Sequence, residues 1–194
     1  QRLPPPIVHK LVDELEGRVA EVACGTHGSW SVIAAYKHSR RAFILTELAN
    51  QLAFLATHQN GSRVAQRVLL EAASVGADLS AAVEALLALG PVAMAALAQD
   101  RFGNYVVQIA MRHAPSPPQR ARLIDVLIPE FHTLAVGKCG SNVAEVLIEH
   151  ASPVQLVAVR SALRPPDVEA LRTHMYGSYV MTALESRLAW AQPA

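Results

Sequence analysis

Six residues recur along this chain with a glycine at their head. They are Gly28-Ser29-Trp30-Ser31-Val32-Ile33, Gly61-Ser62-Arg63-Val64-Ala65-Gln66, Gly103-Asn104-Tyr105-Val106-Val107-Gln108, Gly140-Ser141-Asn142-Val143-Ala144-Glu145 and Gly177-Ser178-Tyr179-Val180-Met181-Thr182. The lead glycines at 28, 61, 103, 140 and 177 are separated by 33, 42, 37 and 37 residues. A period in that range restricts the chain to a solenoid, because a unit so short buries its apolar face only against its neighbours.

If each hexad opens a helix, the residues one, two and five places after the glycine lie at roughly 0°, 100° and 40° around the axis. They share one face, and the apolar pair between them (Val106 and Val107, Val143 and Ala144, Val180 and Met181) turns toward a core. The outward trios are Ser29, Trp30, Ile33; Ser62, Arg63, Gln66; Asn104, Tyr105, Gln108; Ser141, Asn142, Glu145; and Ser178, Tyr179, Thr182. Stacked repeats align these trios as rungs of a ladder. A purely structural repeat has no reason to change its polar face from rung to rung, so the variation points to recognition.

Composition supports helices. The chain is 52% hydrophobic but only 5% aromatic, with alanine and leucine carrying much of the apolar content. Its net charge is +1, so any contact with nucleic acid must rest on local placement rather than on a bulk basic excess. Two cysteines, Cys24 and Cys139, exclude a disulfide framework, and the absence of a C-x-x-C motif argues against zinc. The eight histidines are scattered, with no pair four residues apart, and no phosphate loop, nucleophile elbow or paired-carboxylate motif occurs. The expectation is a binding protein, not an enzyme, with no cofactor and no metal.

The most apolar run, Ala85 to Ala98, is too short to span a bilayer and is interrupted by Gly90 and Pro91, so it reads as buried helix. The chain starts at Gln1 without a visible signal peptide, as expected of an excerpt, a processed form or the ordered part of something longer. The expected setting is reduced and intracellular: cytoplasmic first, with nucleolus or organelle as alternatives.

Taken in order, residues 1–6 read as an extended lead-in because successive prolines exclude a helix interior. Helical periodicity follows over Ile7 to Cys24, from Gly28, over Arg41 to Thr57, and from Gly61 to Ala73. Val75-Gly76-Ala77-Asp78 is a break, and the alanine-rich stretch Leu79 to Ala98, reading as an insertion, is expected to account for the long 42-residue step. Ser116-Pro117-Pro118-Gln119 and Ser152-Pro153-Val154-Gln155 are capping-box starts 36 residues apart, in phase with the hexads. Arg164-Pro165-Pro166-Asp167 marks another turn, and the last helix is expected from Ser178 to about Trp190.

Arg101-Phe102-Gly103-Asn104-Tyr105-Val106-Val107-Gln108 resembles a Pumilio (PUF) repeat. So does Gly140 to Glu145 followed by Ile148-Glu149-His150-Ala151-Ser152. The resemblance is closest over residues 100–190, next over 55–75 and least over 7–50. It implies an all-α, right-handed solenoid of three-helix repeats forming a crescent, with the hexad helices lining a concave RNA surface and one base read per repeat. On that reading residues 1–194 form one repeat domain, with repeats near 7–40, 41–75, 79–115, 116–151 and 152–194.

Base chemistry matches the trios. The carboxylate of Glu145 can accept from the adjacent N1–H and N2 amino group of guanine, with Ser141 as a small second contact. The amide of Gln66, beside Ser62, matches adenine's acceptor and donor, and Asn104 with Gln108 suits uracil's acceptor-donor-acceptor edge. Tyr105 offers a stacking face and Arg63 its guanidinium plane, while Asn142 offers only an amide. The antiparallel arrangement implied by the family makes rungs four, three and two read 5′-G-U-A-3′.

At the ends, Ser178, Tyr179 and Thr182 can stack but lack a glutamine's reach. Trp30 can stack while Ile33 cannot hydrogen-bond. Three fully equipped rungs, fewer than a family member usually carries, imply modest affinity. Arg63, Arg67, Arg101 and Lys138 are candidate phosphate contacts. The expected partner is single-stranded RNA, or RNA within a ribonucleoprotein, with protein partners possible on the convex face and no membrane. The alternative is a divergent scaffold subunit of a larger ribonucleoprotein, such as a ribosome or a ribosome-assembly particle, gripping structured RNA or protein without a base code.

Overall fold

The computed structural model describes the backbone of residues 5–191 and the side chains of residues 6–189. Among the described residues there are helices and no strands, and the helices come in threes, the third opening on the hexad glycine in four sets and at Gln59, two residues before Gly61, in the other. The sets are α1 (Pro5–Asp13), α2 (Val19–Cys24) and α3 (Gly28–Ser39); α4 (Ala42–Asn50), α5 (Leu52–Thr57) and α6 (Gln59–Ser74); and α7 (Ser80–Leu87), α8 (Gly90–Gln99) and α9 (Gly103–Arg112). They continue with α10 (Pro117–Leu127), a 3₁₀ turn at Ile128–Glu130, α11 (Phe131–Val136) and α12 (Gly140–His150), then α13 (Pro153–Ala162), α14 (Pro165–Thr173) and α15 (Gly177–Ala191).

The third helices pack in series, α3 on α6, α6 on α9, α9 on α12 and α12 on α15. One continuous core runs beneath them, with Leu48, Leu55, Leu69, Leu86, Met94, Met111, Leu127 and Phe131 fully buried. The apolar hexad pairs face it: Val64, Ala65, Val106, Val107, Val143, Ala144, Val180 and Met181 are all buried. This is an all-α repeat solenoid.

Several details differ from the sequence reading. Gln1–Pro4 lie outside the described residues, but from Pro5 the chain is already helical, not extended. Prolines at the first helical positions lack only N–H groups that a helix start leaves unpaired anyway. The periodicity of Ile7 to Cys24 is two helices, parted at Gly17, whose φ of 78° needs glycine. The carboxylate of Glu47 then accepts from the backbone N–H groups of Gly17 (2.6 Å) and Val19 (3.1 Å), so a side chain of α4 caps α2. Arg41 to Thr57 is also two helices, bent at Gln51, and the bend lets Leu48, Leu52 and Leu55 all reach the core.

The alanine-rich segment is no insertion. It is α7 and α8, meeting at 108°, and α7 packs between α4 and α10 in the stack of first helices. From the start of α7 at Ser80 to Gly103 is 23 residues, the same as from Pro117 to Gly140. The surplus lies earlier: Gly61 to Ser80 is 19 residues where Gly103 to Pro117 is 14, a difference of 5 that equals the excess of the 42-residue step over 37. The longer α6 and the 75–79 loop therefore carry it. Among the described residues no single helix is long and apolar enough to cross a membrane.

The two serine caps are not identical. Ser152 and Gln155 close a full box, with Gln155 Oε1 accepting from the Ser152 N–H (3.0 Å) and Ser152 Oγ accepting from the Gln155 N–H (3.3 Å). Ser116 accepts from the Gln119 N–H, but the Gln119 side chain turns toward Ser80 and Glu84 of α7 instead of returning to the cap backbone. That contact ties α10 to the preceding repeat.

Candidate nucleic-acid interface

Each hexad helix is aimed by the same turn. The residue three before each lead glycine (Gly25, His58, Asp100, Gly137, His174) has extended backbone, with φ between −65° and −84° and ψ between 137° and 145°. Its carbonyl accepts from the N–H of the first trio residue, at 3.3, 2.9, 3.2, 2.9 and 3.0 Å respectively. Where this residue has a polar side chain, that side chain caps the helix. Asp100 Oδ1 accepts from the Phe102 and Gly103 N–H groups (2.8 Å each), and the imidazole Nδ1 atoms of His58 and His174 do the same in their turns. Two of the scattered histidines thus have a structural role that spacing for metal ligands could not reveal.

The glycines are dictated by approach distance. A Cβ at Gly28, Gly61, Gly103, Gly140 or Gly177 would lie 2.3 to 3.1 Å from the carbonyl oxygen of the residue six before it, at the end of the second helix. Only glycine lets the second and third helices meet so closely, and that closeness sets the direction of the trio.

The trios do line one face, but their first residues form its floor. Ser29, Ser62, Asn104 and Ser141 are buried and Ser178 is half-buried. Ser141 Oγ donates to the Lys138 carbonyl, and Ser62 Oγ to that of Gln59. The second residues stand out: Trp30 is 65% exposed, Tyr105 53% and Tyr179 70%, and Arg63 and Asn142 are exposed. The third residues differ. Glu145 and Thr182 are exposed, Gln66 and Ile33 half-buried, and Gln108 only 8% exposed. Thr182 turns its hydroxyl back to the Ser178 carbonyl (2.8 Å).

Rung three therefore departs from the expectation of side chains projecting freely. Asn104 and Gln108 are hydrogen-bonded to each other, Nε2 to Oδ1 at 3.0 Å, because the stacking of neighbouring repeats leaves them little water to bond instead. The C-terminal rungs open into a groove between α9, α12 and α15, lined by Gln108, Arg112, Asn142, Glu145, Glu149 and Arg187. It is of mixed charge: an Arg112 nitrogen lies 4.0 Å from a Glu149 oxygen, and Arg187 is spent on the Ile148 and Ala151 carbonyls at the end of α12.

At that end of α12, burial lowers the pKa of His150, and the positive charges of Arg120, Arg112 and His113 add to the effect against the carboxylate of Glu149. Of the candidate phosphate contacts, Arg63, Arg67, Arg101 and Lys138 are all exposed, and Arg101 lies over the Phe102 ring at 4.5 Å. Among the described residues no three His, Cys, Asp or Glu side chains are grouped to hold a metal ion.

A family model described as the Pumilio-family RNA binding repeat matches residues 51–73, 94–128 and 130–159. The chain is 28% identical over 167 residues to Pumilio homology domain family member 4 of Saccharomyces cerevisiae, covering 83% of this chain and 18% of that protein. It is 33% identical over 147 residues to putative pumilio homolog 10 of Arabidopsis thaliana, covering 73% of this chain and 25% of that one. It thus spans a quarter or less of the length of these curated relatives. Among solved structures it superposes on the Puf3 RNA binding domain bound to a Cox17 RNA 3′ UTR recognition sequence with a TM-score of 0.77, at 17% identity, over 96% of this chain and 57% of that one. That likeness speaks to the fold. Repeat architecture, hexads and sequence matches together make this chain a member of the Pumilio family.

Proposed function

We propose that this chain binds single-stranded RNA along the hexad ladder, one base per rung, with rungs four, three and two preferring 5′-G-U-A-3′, and that it masks an RNA or recruits others to it. The observation that carries this reading is the serial packing of α3, α6, α9, α12 and α15, which sets Trp30, Arg63, Tyr105, Asn142 and Tyr179 at the same exposed helical position while the residue three further on changes chemistry. A base between two such platforms stacks, and its edge meets the residue below. Glu145 suits guanine because it is exposed and accepts only. In the solved neighbour, the Puf3 domain holds a 3′ UTR recognition sequence, which is the ligand class this reading assigns.

The five helix sets of residues 1–194 act on this reading as one binding domain, with Arg63, Arg67, Arg101 and Lys138 beside the phosphates. Titrating labelled RNA containing UGUA against the same RNA with its G replaced tests the proposal. A guanine preference on the order of 1–3 kcal/mol supports it, by analogy with other good bidentate base contacts. Equal binding of both RNAs contradicts it.

A second reading has its own observation. The groove alternates Arg112 and Arg187 with Glu145 and Glu149 instead of forming a continuous basic lining. A scaffold that grips structured RNA or protein inside a ribonucleoprotein needs no base preference. It predicts that a duplex-containing RNA competes as well as the UGUA single strand.

A further inference from the structure

Along α9 and the turn that leads into it, four residues at intervals of four are joined head to tail. Arg112 Nη1 donates to Gln108 Oε1 (3.2 Å), Gln108 Nε2 to Asn104 Oδ1 (3.0 Å), and Asn104 Nδ2 to the Asp100 carbonyl (2.8 Å). The ends set the direction. A guanidinium only donates and a carbonyl only accepts, so each amide between them has a single orientation compatible with the whole chain. Gln108 consequently holds its oxygen on the side of Arg112, with which it lines the groove. Its NH₂ faces Asn104, which is 2% exposed.

Rung two lacks this device. Four residues after Gln66 stands Leu70, exposed and without a donor, where rung three has Arg112. The two glutamines of the ladder therefore differ in what fixes their amides, although their side chains are the same.

We infer that Arg112 is a positioning residue for base selection at rung three: by holding the Gln108 oxygen toward the groove, it favours bases with a ring N–H on the pairing edge, uracil first and guanine second, over adenine and cytosine. This rests on the one-base-per-rung reading proposed above. A carboxamide oxygen has two lone pairs. Arg112 occupies one, and the other accepts from uracil N3–H. Adenine N1 and cytosine N3 bring a lone pair to the same place and are repelled. Without Arg112, only the donation of Nε2 to Asn104 Oδ1 holds the Gln108 amide, and its oxygen loses the partner that keeps it on the groove side.

The experiment uses four RNAs differing only at the base opposite rung three, bound by the wild-type chain, Arg112→Leu and Arg112→Lys at one fixed salt concentration. The wild type is expected to prefer uracil over adenine by about tenfold, as befits one hydrogen bond gained or lost. Arg112→Leu leaves the Gln108 amide anchored by Asn104 alone, and the uracil-to-adenine ratio falls by at least about threefold, while Arg112→Lys, which keeps a donor, retains most of it. The guanine preference at rung four is unchanged in both variants, and thermal melting of each reports its folding.

If Arg112→Leu weakens all four RNAs equally, Arg112 touches phosphate and the inference is overturned while the base code stands. If the wild type discriminates at rung four but not at rung three, the inference again fails alone. If it discriminates at no rung, the base-reading proposal itself has failed.

Discussion

Replacing Gly140 by alanine tests the packing that aims the ladder. The added Cβ would lie 2.7 Å from the Leu134 carbonyl oxygen and 3.0 Å from the Leu134 Cα. Both are backbone atoms, so no side-chain rotation relieves the clash. The same oxygen accepts from the Gly137 N–H at 3.0 Å, and moving it strains that bond too. Two effects compete. Alanine inside a helix gains up to about 1 kcal/mol over glycine, whereas forcing a methyl into close-packed surroundings costs about 1–3 kcal/mol. With a backbone obstacle the second effect wins, and a net loss of about 1–2 kcal/mol follows.

At roughly 2–4 °C per kcal/mol for a chain of this size, melting falls by several degrees. Gly25→Ala is the control. Its Cβ would stand 3.4 Å from the Val22 carbonyl, an ordinary contact, and its extended backbone accepts any residue. Restricting the unfolded chain there stabilises by a few tenths of a kcal/mol to about 1 kcal/mol. Urea and thermal unfolding followed by circular dichroism read both variants. Gly140→Ala as stable as wild type, or Gly25→Ala losing as much as Gly140→Ala, refutes the argument from approach distance.

Tyr105→Ala removes a half-exposed ring and is expected to weaken every single-stranded RNA by about 1–3 kcal/mol with little change in melting, as fluorescence anisotropy beside calorimetry would show. Asp100→Ala uncaps α9 and lowers stability by about 1 kcal/mol, whereas Asp100→Asn keeps an acceptor and most of the stability; paired urea titrations check this. His150 has its pKa lowered by burial, so the unfolded chain takes up its proton first. Stability from this group is full above the ordinary histidine value of about 6.5 and declines as pH falls below it. His150→Gln should therefore show a smaller drop in urea midpoint between about pH 7.5 and about pH 5.5 than wild type, and an equal drop assigns the acid sensitivity elsewhere.

The ladder was legible in the sequence because its cause is local. Five glycines need the same close approach, and a helix puts the first, second and fifth residues after each of them on one face whatever the rest of the chain does. The capping residue three before the glycine was not legible. Gly25, His58, Asp100, Gly137 and His174 share a backbone conformation rather than a chemistry, and only phase relative to the glycine links them. The bend at Gln51 lacks any breaker residue, and the packing of Leu48 and Leu55 on its two sides is a tertiary effect.

The same holds for rung three. Residue types at 104 and 108 suggested freely projecting amides. Their burial comes from the neighbouring repeats, and the Gln108 amide is held between Asn104 and Arg112, the latter outside the hexad. The alanine-rich segment looked like an insertion because composition stood out there, whereas the extra residues lie in α6 and the 75–79 loop, where composition is unremarkable.

The direct test of the account is to change one rung and watch one base. Ser141→Asn combined with Glu145→Gln turns rung four into the side-chain pair of rung three, and both sites lie on α12 with Glu145 exposed. Binding of this double variant and of wild type to two RNAs, one with guanine and one with uracil opposite rung four, gives a single number, the change in the guanine-to-uracil ratio. The ratio is expected to invert at that position while preferences at rungs two and three stay as they were. A ratio identical in the two proteins, or a shift spread over every position of the RNA, contradicts it.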